Sequence, residues 1–187
     1  IVILRSGHRF LSFPLVLSDR LRLEVRENAT LLASTDRAQW PLRSEPMYGT
    51  MYQHFLSGRQ LSAVSFTGGG SIDGQASYDR QSWWFNCTDS HGGGEPHCGD
   101  HHRPFLIHIF ESSGVVLSNL TLRNAPMYHV VLDHSKHVSI EQVSILAPAE
   151  SPNTDGVDVH STEWVHMRNC TVCNGDDAVA VATYDPG

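Results

Sequence analysis

Asn153-Thr154-Asp155-Gly156-Val157-Asp158-Val159 is answered downstream by a segment of the same shape, Gly175-Asp176-Asp177-Ala178-Val179-Ala180-Val181. Asp155 and Asp177, Val157 and Val179, and Val159 and Val181 are each 22 positions apart, so both segments run in one phase. Apolar residues at every second position describe a short strand with one buried face. Acidic residues therefore gather at the head of two equivalent strands, and the fold turns on whether those strands stack.

The chain before them repeats in the same way. Val115, Leu117, Leu120 and Leu122 recur as Val138, Ile140, Val143 and Ile145 at an offset of 23, then as Val165, Met167, Cys170 and Val172 at an offset of 27. Within each unit the apolar spacing is two, three, two. That pattern is two short strands whose phase is reset by a bend at Ser118-Asn119, Glu141-Gln142 and Arg168-Asn169, so that both face one interior. A further column, Ile107/Ile109, Val130/Leu132, Val157/Val159 and Val179/Val181, keeps the register and supplies a third strand per repeat. A period in the low twenties, built from short β-branched strands without helical periodicity, predicts an all-β, right-handed parallel β-helix with three short strands per coil. A helical solenoid needs 3.6-residue periodicity, and an antiparallel sandwich needs turn signals that would break the register.

Outside the repeat, Leu15/Leu17 and Leu21/Leu23/Val25 alternate as strands do. Residues 40–58, with Pro41 and Pro46, read as an irregular surface loop, and Leu61 to Phe66 returns to alternation. Gly68-Gly69-Gly70 is a tight bend and not a phosphate loop, because neither lysine nor a helix-forming run follows it. Residues 77–103, with Trp83-Trp84 and several histidines, form a loop excursion. The opening Ile1-Val2-Ile3-Leu4 reads as a strand entered midway. Residues 1–187 are thus expected to be a single β-helix domain incomplete at both ends, a fragment of a longer helix.

Composition narrows the function. A net charge of −7, from 13 basic and 20 acidic residues, argues against nucleic acid and anionic membrane surfaces as partners. No apolar run is long enough for a membrane span. Sequons at Asn28, Asn86, Asn119 and Asn169 are glycosylation candidates and point to a secreted, extracellular protein. Cys87 and Cys98 bracket a Gly-rich loop and are a disulfide candidate, whereas Cys170 falls on a core position of the repeat and Cys170-x-x-Cys173 reads as structural. His91, His97, Cys98, His101 and His102 match no compact zinc spacing, so the expectation is no metal and no cofactor.

Stacking brings the chemistry together. Equivalent residues on neighbouring coils lie about 4.8 Å apart. The column ahead of the core pair reads Phe105, Tyr128, Asp155, Asp177, with Asp176 beside it. His108/Val131/Asp158/Ala180 and Leu106/His129/Gly156/Ala178 form the expected wall. Carboxylates this close raise one another's pKa and titrate as a coupled set, giving an acid beside a base, as glycosidic cleavage requires. Calcium binding is a second use of stacked aspartates, and a polar turn a third.

The segments Ser151-Pro152-Asn153-Thr154-Asp155-Gly156-Val157-Asp158 and Gly175-Asp176-Asp177 resemble glycoside hydrolase family 28, the polygalacturonases. Weaker agreement extends through Ala29-Thr30-Leu31-Leu32-Ala33-Ser34, Gly70-Ser71-Ile72-Asp73-Gly74, Trp83-Trp84 and Arg103-Pro104. The resemblance implies hydrolysis of α-1,4-galacturonide linkages in a pectin-like polysaccharide with inversion. Asp176 would be the general acid, Asp155 and Asp177 would activate water, and Asn153, Asp158, Tyr128 and His129 would bind substrate. The family continues with a Gly-His-Gly segment and an Arg-x-Lys segment, both expected beyond Gly187. Ala178, Val131 and Ala182 depart from residues common in the family. The rival expectation is a non-catalytic β-helix serving as a structural or glycan-binding module in an extracellular assembly.

Overall fold

The computed structural model describes residues 1–45, 48–85, 87, 98 and 102–183. Its strands form a ten-stranded and a six-stranded sheet, both parallel, and one antiparallel hairpin pairing Leu42–Glu45 with Gly49–Tyr52. The chain coils as a right-handed parallel β-helix whose two parallel sheets enclose a single interior.

The register is the one the repeat dictates. Val115 pairs with Val138 and Val138 with Val165, while Leu122 pairs with Ile145 and Ile145 with Val172. In the six-stranded sheet Ile107, Val130, Val157 and Val179 stand in one column. The columns Leu117/Ile140, Leu122/Ile145 and Val130/Val157 are fully buried. Each such side chain contributes about 1.5–3 kcal/mol by leaving water. The coils are therefore held in register by burial, since a one-residue slip would turn every apolar column outward.

The expected bends are sharp corners made by single residues. Asn119, Gln142 and Asn169 have φ of 51°, 54° and 53°, a left-handed conformation that asparagine tolerates better than most side chains. Hydrogen bonding continues through two of these corners, so Ser113–Arg123 and Lys136–Leu146 each run unbroken for 11 residues, whereas the next coil divides into Glu163–Arg168 and Thr171–Cys173. Asn119 and Asn169 are exposed at their corners, as is Asn28, while Asn86 lies outside the described residues.

One expectation needs correction. Residues 40–58 are not an irregular loop: they hold the hairpin and the strand Leu56–Arg59, which joins the six-stranded sheet beside Ile107–Phe110. Pro41 and the lack of alternation conceal it, because inward Gly58 packs its bare Cα against Leu61 and Leu17. Of the expected 77–103 excursion, residues 77–85, 87, 98, 102 and 103 lie among the described residues. Trp83 and Trp84 are buried in the main core, Trp83 edge-on to Trp40 at 5.1 Å. Cys87 and Cys98 are joined by a disulfide, and His91, His97 and His101 lie outside the described residues.

Candidate active site

Val157 and Val159 enter the core, so Asp155, Asp158 and His160 project from the outer face of the strand Val157–His160 or from its head. The neighbouring strands carry His54, Phe105, Tyr128 and Asp177 at the level of Asp155, forming one outward ladder. His54 stacks on Phe105 at 4.3 Å and Phe105 on Tyr128 at 5.1 Å, an aromatic run that ends where the aspartates begin. The backbone follows the same ladder: His129 N–H donates to the Asp155 carbonyl at 2.9 Å, and Gly156 N–H to the Asp177 carbonyl at 2.9 Å. Asp155 and Asp177 are thus stacked equivalents, as the spacing of 22 requires.

Two turns hold the carboxylates, and each is fixed by the other. Asn174 Nδ2 donates to the carbonyls of Thr154 at 2.8 Å and Asp177 at 2.9 Å, and Gly175 N–H donates to Thr154 Oγ1 at 3.0 Å. Thr154 Oγ1 lies 2.6 Å from Ser151 Oγ, and Ser151 Oγ donates to the Pro148 carbonyl at 2.6 Å. The coils approach so closely that a Cβ on Gly175 would collide with the Ser151 carbonyl, and one on Gly156 with the Ala178 carbonyl. Glycine at these two positions is a packing requirement. Buried Arg103 clamps the same region, Nη1 donating to the carbonyls of Pro126 at 2.6 Å and Pro152 at 2.7 Å. Its motif drew notice in the sequence, but its structural task did not.

Within this frame Asp155, Asp176 and Asp177 bring one carboxylate oxygen each to within 4.8 Å of the others, Asp155 buried and the other two exposed. Asp177 N–H donates to Asp176 Oδ1 at 2.9 Å. Asp158 is buried beside them, and burial pushes its carboxyl up to about 8. The fields of Asp155, Asp177, Asp133 and Asp176 act in the same direction. The group whose charge is disfavoured here is Asp158, which the repeat places in the wall beside the stacked aspartates.

Tyr128 and Asn153 are partly exposed at the edge of the cluster, Asn153 with φ of 44° at the turn. The wall position expected for His129 is not found. Its ring is fully buried in the interior, with Nδ1 facing the carbonyls of Thr154 at 3.2 Å and Asp155 at 3.0 Å, and it has no surface to offer a substrate. Burial lowers its pKa to about 4, so it is a neutral brace beneath the site. Period-two reading failed here because the column sits at a corner of the coil, where alternation does not fix direction. Val131 is also closed off, packed under Met51, Phe105 and Met127.

The outer face also carries Asp133 and His160, which the repeat analysis does not single out, beside the wall residue His108. Asp133 meets His108 Nε2 at 2.8 Å and His160 Nδ1 at 3.1 Å. Burial acts to raise the Asp133 carboxyl, but these two hydrogen bonds outweigh it and hold the group well below the usual carboxylate range. Asp133 and His160 occupy one outward column, which was the available signal. Farther along the face a groove of about 750 Å³ opens under the hairpin, lined by Arg43, Glu45, His54, Arg59, His108 and Glu111. Glu45, His54 and His108 bring potential ligand atoms within 4.8 Å of one another. His54 Nδ1 already accepts the Phe105 N–H at 3.1 Å, which leaves the hydrogen on Nε2 and no lone pair for a cation.

Stacked coils with an acidic cluster on one outer face define a class of protein, and comparison with known proteins gives the family. Glycosyl hydrolases family 28 matches residues 19–186, and the chain belongs to that family. It is 35% identical over 182 residues to a probable polygalacturonase of Vitis vinifera, covering 92% of this chain and 35% of that protein. A polygalacturonase of Chamaecyparis obtusa is 33% identical over 162 residues, covering 86% of this chain and 29% of that protein. The solved polygalacturonase of Erwinia carotovora superposes with a TM-score of 0.81 at 27% identity, over 95% of this chain and 48% of that one. The chain spans about a third of the length of these curated relatives.

Proposed function

We propose that the protein hydrolyses α-1,4-galacturonide linkages in a pectin-like polysaccharide, with inversion at the anomeric carbon. The observation that carries the reading is the meeting of Asp155, Asp176 and Asp177 across two coils in a family of glycosyl hydrolases. Asp176, exposed at the tip of its turn, is the general acid that protonates the leaving oxygen. Asp155 and Asp177, stacked one coil apart, share and activate one water as bases. Asn153 and Tyr128 border the path of the sugar chain, and Asp158 lies buried beneath it.

Inversion rests on the family resemblance and not on spacing. Acid and base in the usual inverting pair stand about 6.5–9.5 Å apart, more than the nearest-oxygen distances here. Family membership and a polar face with Arg43 and Arg59 in its groove favour a uronate-bearing polysaccharide. The Cys87–Cys98 disulfide, together with exposed sequons at Asn28, Asn119 and Asn169, supports a secreted protein, because disulfides persist in oxidising compartments.

The test is direct. The full-length protein is incubated with polygalacturonate, reducing ends are counted, and the anomer released first is read by proton NMR. New ends carrying the inverted configuration support the reading. Binding without cleavage would instead establish the non-catalytic glycan-binding module.

A further inference from the structure

Asp133 accepts from two imidazoles at once, and that geometry determines both tautomers. With one carboxylate oxygen against His108 Nε2 and the other against His160 Nδ1, both of those nitrogens carry hydrogen. The second nitrogen of His160, Nε2, is turned toward Asp158 Oδ1 at 3.8 Å, and both side chains are 4% exposed. The other oxygen of Asp158, Oδ2, is buried with no hydrogen-bond partner.

The groups around Asp158 make its charge state consequential. Asp155 precedes it on its own segment, Asp133 lies on the adjacent strand, Asp176 and Asp177 come from the following coil, and His160 follows on its own strand. An ionised Asp158 beside a neutral imidazole would be a buried charge facing four carboxylates and a nitrogen lone pair. One proton on the pair removes the conflict, whether it sits on Asp158 or on His160 Nε2, because the pair is then neutral overall.

We infer that Asp133 is a positioning residue: it orients His160 and, through its own negative charge, keeps one proton on the His160–Asp158 pair beneath the Asp155, Asp176 and Asp177 cluster. The inference rests on the proposed role of that cluster. Its consequence is that the His160–Asp158 pair adds no net charge beneath the Asp155, Asp176 and Asp177 cluster, and Asp133 is the ionised carboxylate of the floor. The pair's proton also sets how far into alkaline pH the site keeps its working charge.

The experiment follows the Asp158 carboxyl carbon and the His160 ring nitrogens by NMR across pH, in the full-length wild type and in Asp133→Asn. In the wild type, the pair is expected to keep its proton well above the ordinary carboxylate range. In Asp133→Asn, the proton is expected to leave at least about one pH unit lower, since both the fixed tautomer and the supporting charge are gone. His160→Gln serves if Asp133→Asn does not fold, and it moves the Asp158 titration in the same direction. In parallel, the alkaline limb of kcat/KM on polygalacturonate should shift with the Asp133→Asn titration and stop responding to Asp133→Asn in an Asp158→Asn background. A purely structural Asp133 would lower activity at every pH in both backgrounds. A His160–Asp158 pair that loses its last proton within the ordinary carboxylate range in the wild type, or whose last deprotonation is unmoved in both variants, overturns the inference. If the wild type retains the proton but cleaves nothing, the catalytic reading fails and the charge assignment stands.

Discussion

The backbone N–H of Gly175 donates to Thr154 Oγ1 at 3.0 Å, so the turn presenting Asp176 and Asp177 hangs from the turn presenting Asp155. Sheet pairing alone sets the coil spacing, about 4.8 Å, but does not fix where a turn outside the strands points its side chains. The hydroxyl supplies that constraint, and Asn174 reinforces it by bridging the carbonyls of Thr154 and Asp177. Neither residue carries charge, yet together they determine the distance between the proposed acid and bases.

Thr154→Val keeps the shape and removes the hydroxyl, leaving the Gly175 N–H without its acceptor. Loss of a buried partner costs about 1–3 kcal/mol. Thermal unfolding should register that loss, and kcat should fall more than KM rises, because misplacement affects the transition state first. A variant with reduced stability but unchanged kcat would show that the link only braces the fold.

Gly175→Ala acts on the same joint by steric means. Its methyl group would press on the Ser151 carbonyl and separate the two turns, and overpacking of this kind costs about 1–3 kcal/mol. Activity should drop at least as far as in Thr154→Val. Wild-type activity would mean that the acidic cluster tolerates displacement.

Much of this was readable in the sequence, and the reasons are specific. Val115, Val138 and Val165 announce their stacking because burial forces the same residue class into the same column on each coil. The pairing of Asp155 with Asp177 follows from that register alone. His129 was misread because at a corner the side-chain direction depends on backbone dihedrals and not on alternation. The His108–Asp133–His160 network joins residues 25 and 27 positions apart, and only its Asp133/His160 column keeps the register, so the sequence shows a pair of stacked polar residues but not the third member. Leu56–Arg59 was hidden for a related reason, since an inward glycine is invisible to an apolar pattern.

Asp176→Asn isolates the proposed general acid. Asp176 is exposed and its Oδ1 accepts only the neighbouring Asp177 N–H among the hydrogen bonds described, a role that the amide oxygen of asparagine can retain. The fold should therefore persist with an unchanged unfolding temperature. Release of reducing ends from polygalacturonate should fall by at least about 100-fold, the usual scale of a lost general acid. Undiminished turnover would remove Asp176 from that role.

Asp158 gives stability a pH dependence of defined sign. Its folded carboxyl lies near 8 because of burial and the surrounding carboxylates, against an unfolded value of about 3.9. Between those values the folded state keeps a proton that the unfolded chain has released. The stabilisation is present at low pH and is lost as pH rises through the window. Asp158→Asn cannot ionise and escapes that loss, so its unfolding temperature relative to wild type should climb between pH 5 and pH 8, by roughly 8–16 °C. A difference that is flat with pH would mean that Asp158 is ionised in the folded protein.

His129 and His54 act on the acid side. Burial lowers both to about 4, so below the unfolded value of about 6.5 the unfolded chain takes up protons that the folded protein refuses. Their contribution is intact at neutral pH and drains away as pH falls from 6.5 toward 4, by at most about 1.4 kcal/mol per pH unit for each ring. His129→Asn places an amide N–H where Nδ1 faces the Thr154 and Asp155 carbonyls, and it removes the titration. The variant loses packing at every pH, but its stability should decline less steeply than wild type between pH 6.5 and 4. Denaturant unfolding at several pH values reads that slope, and an unchanged slope would show that His129 already carries a proton in the folded state.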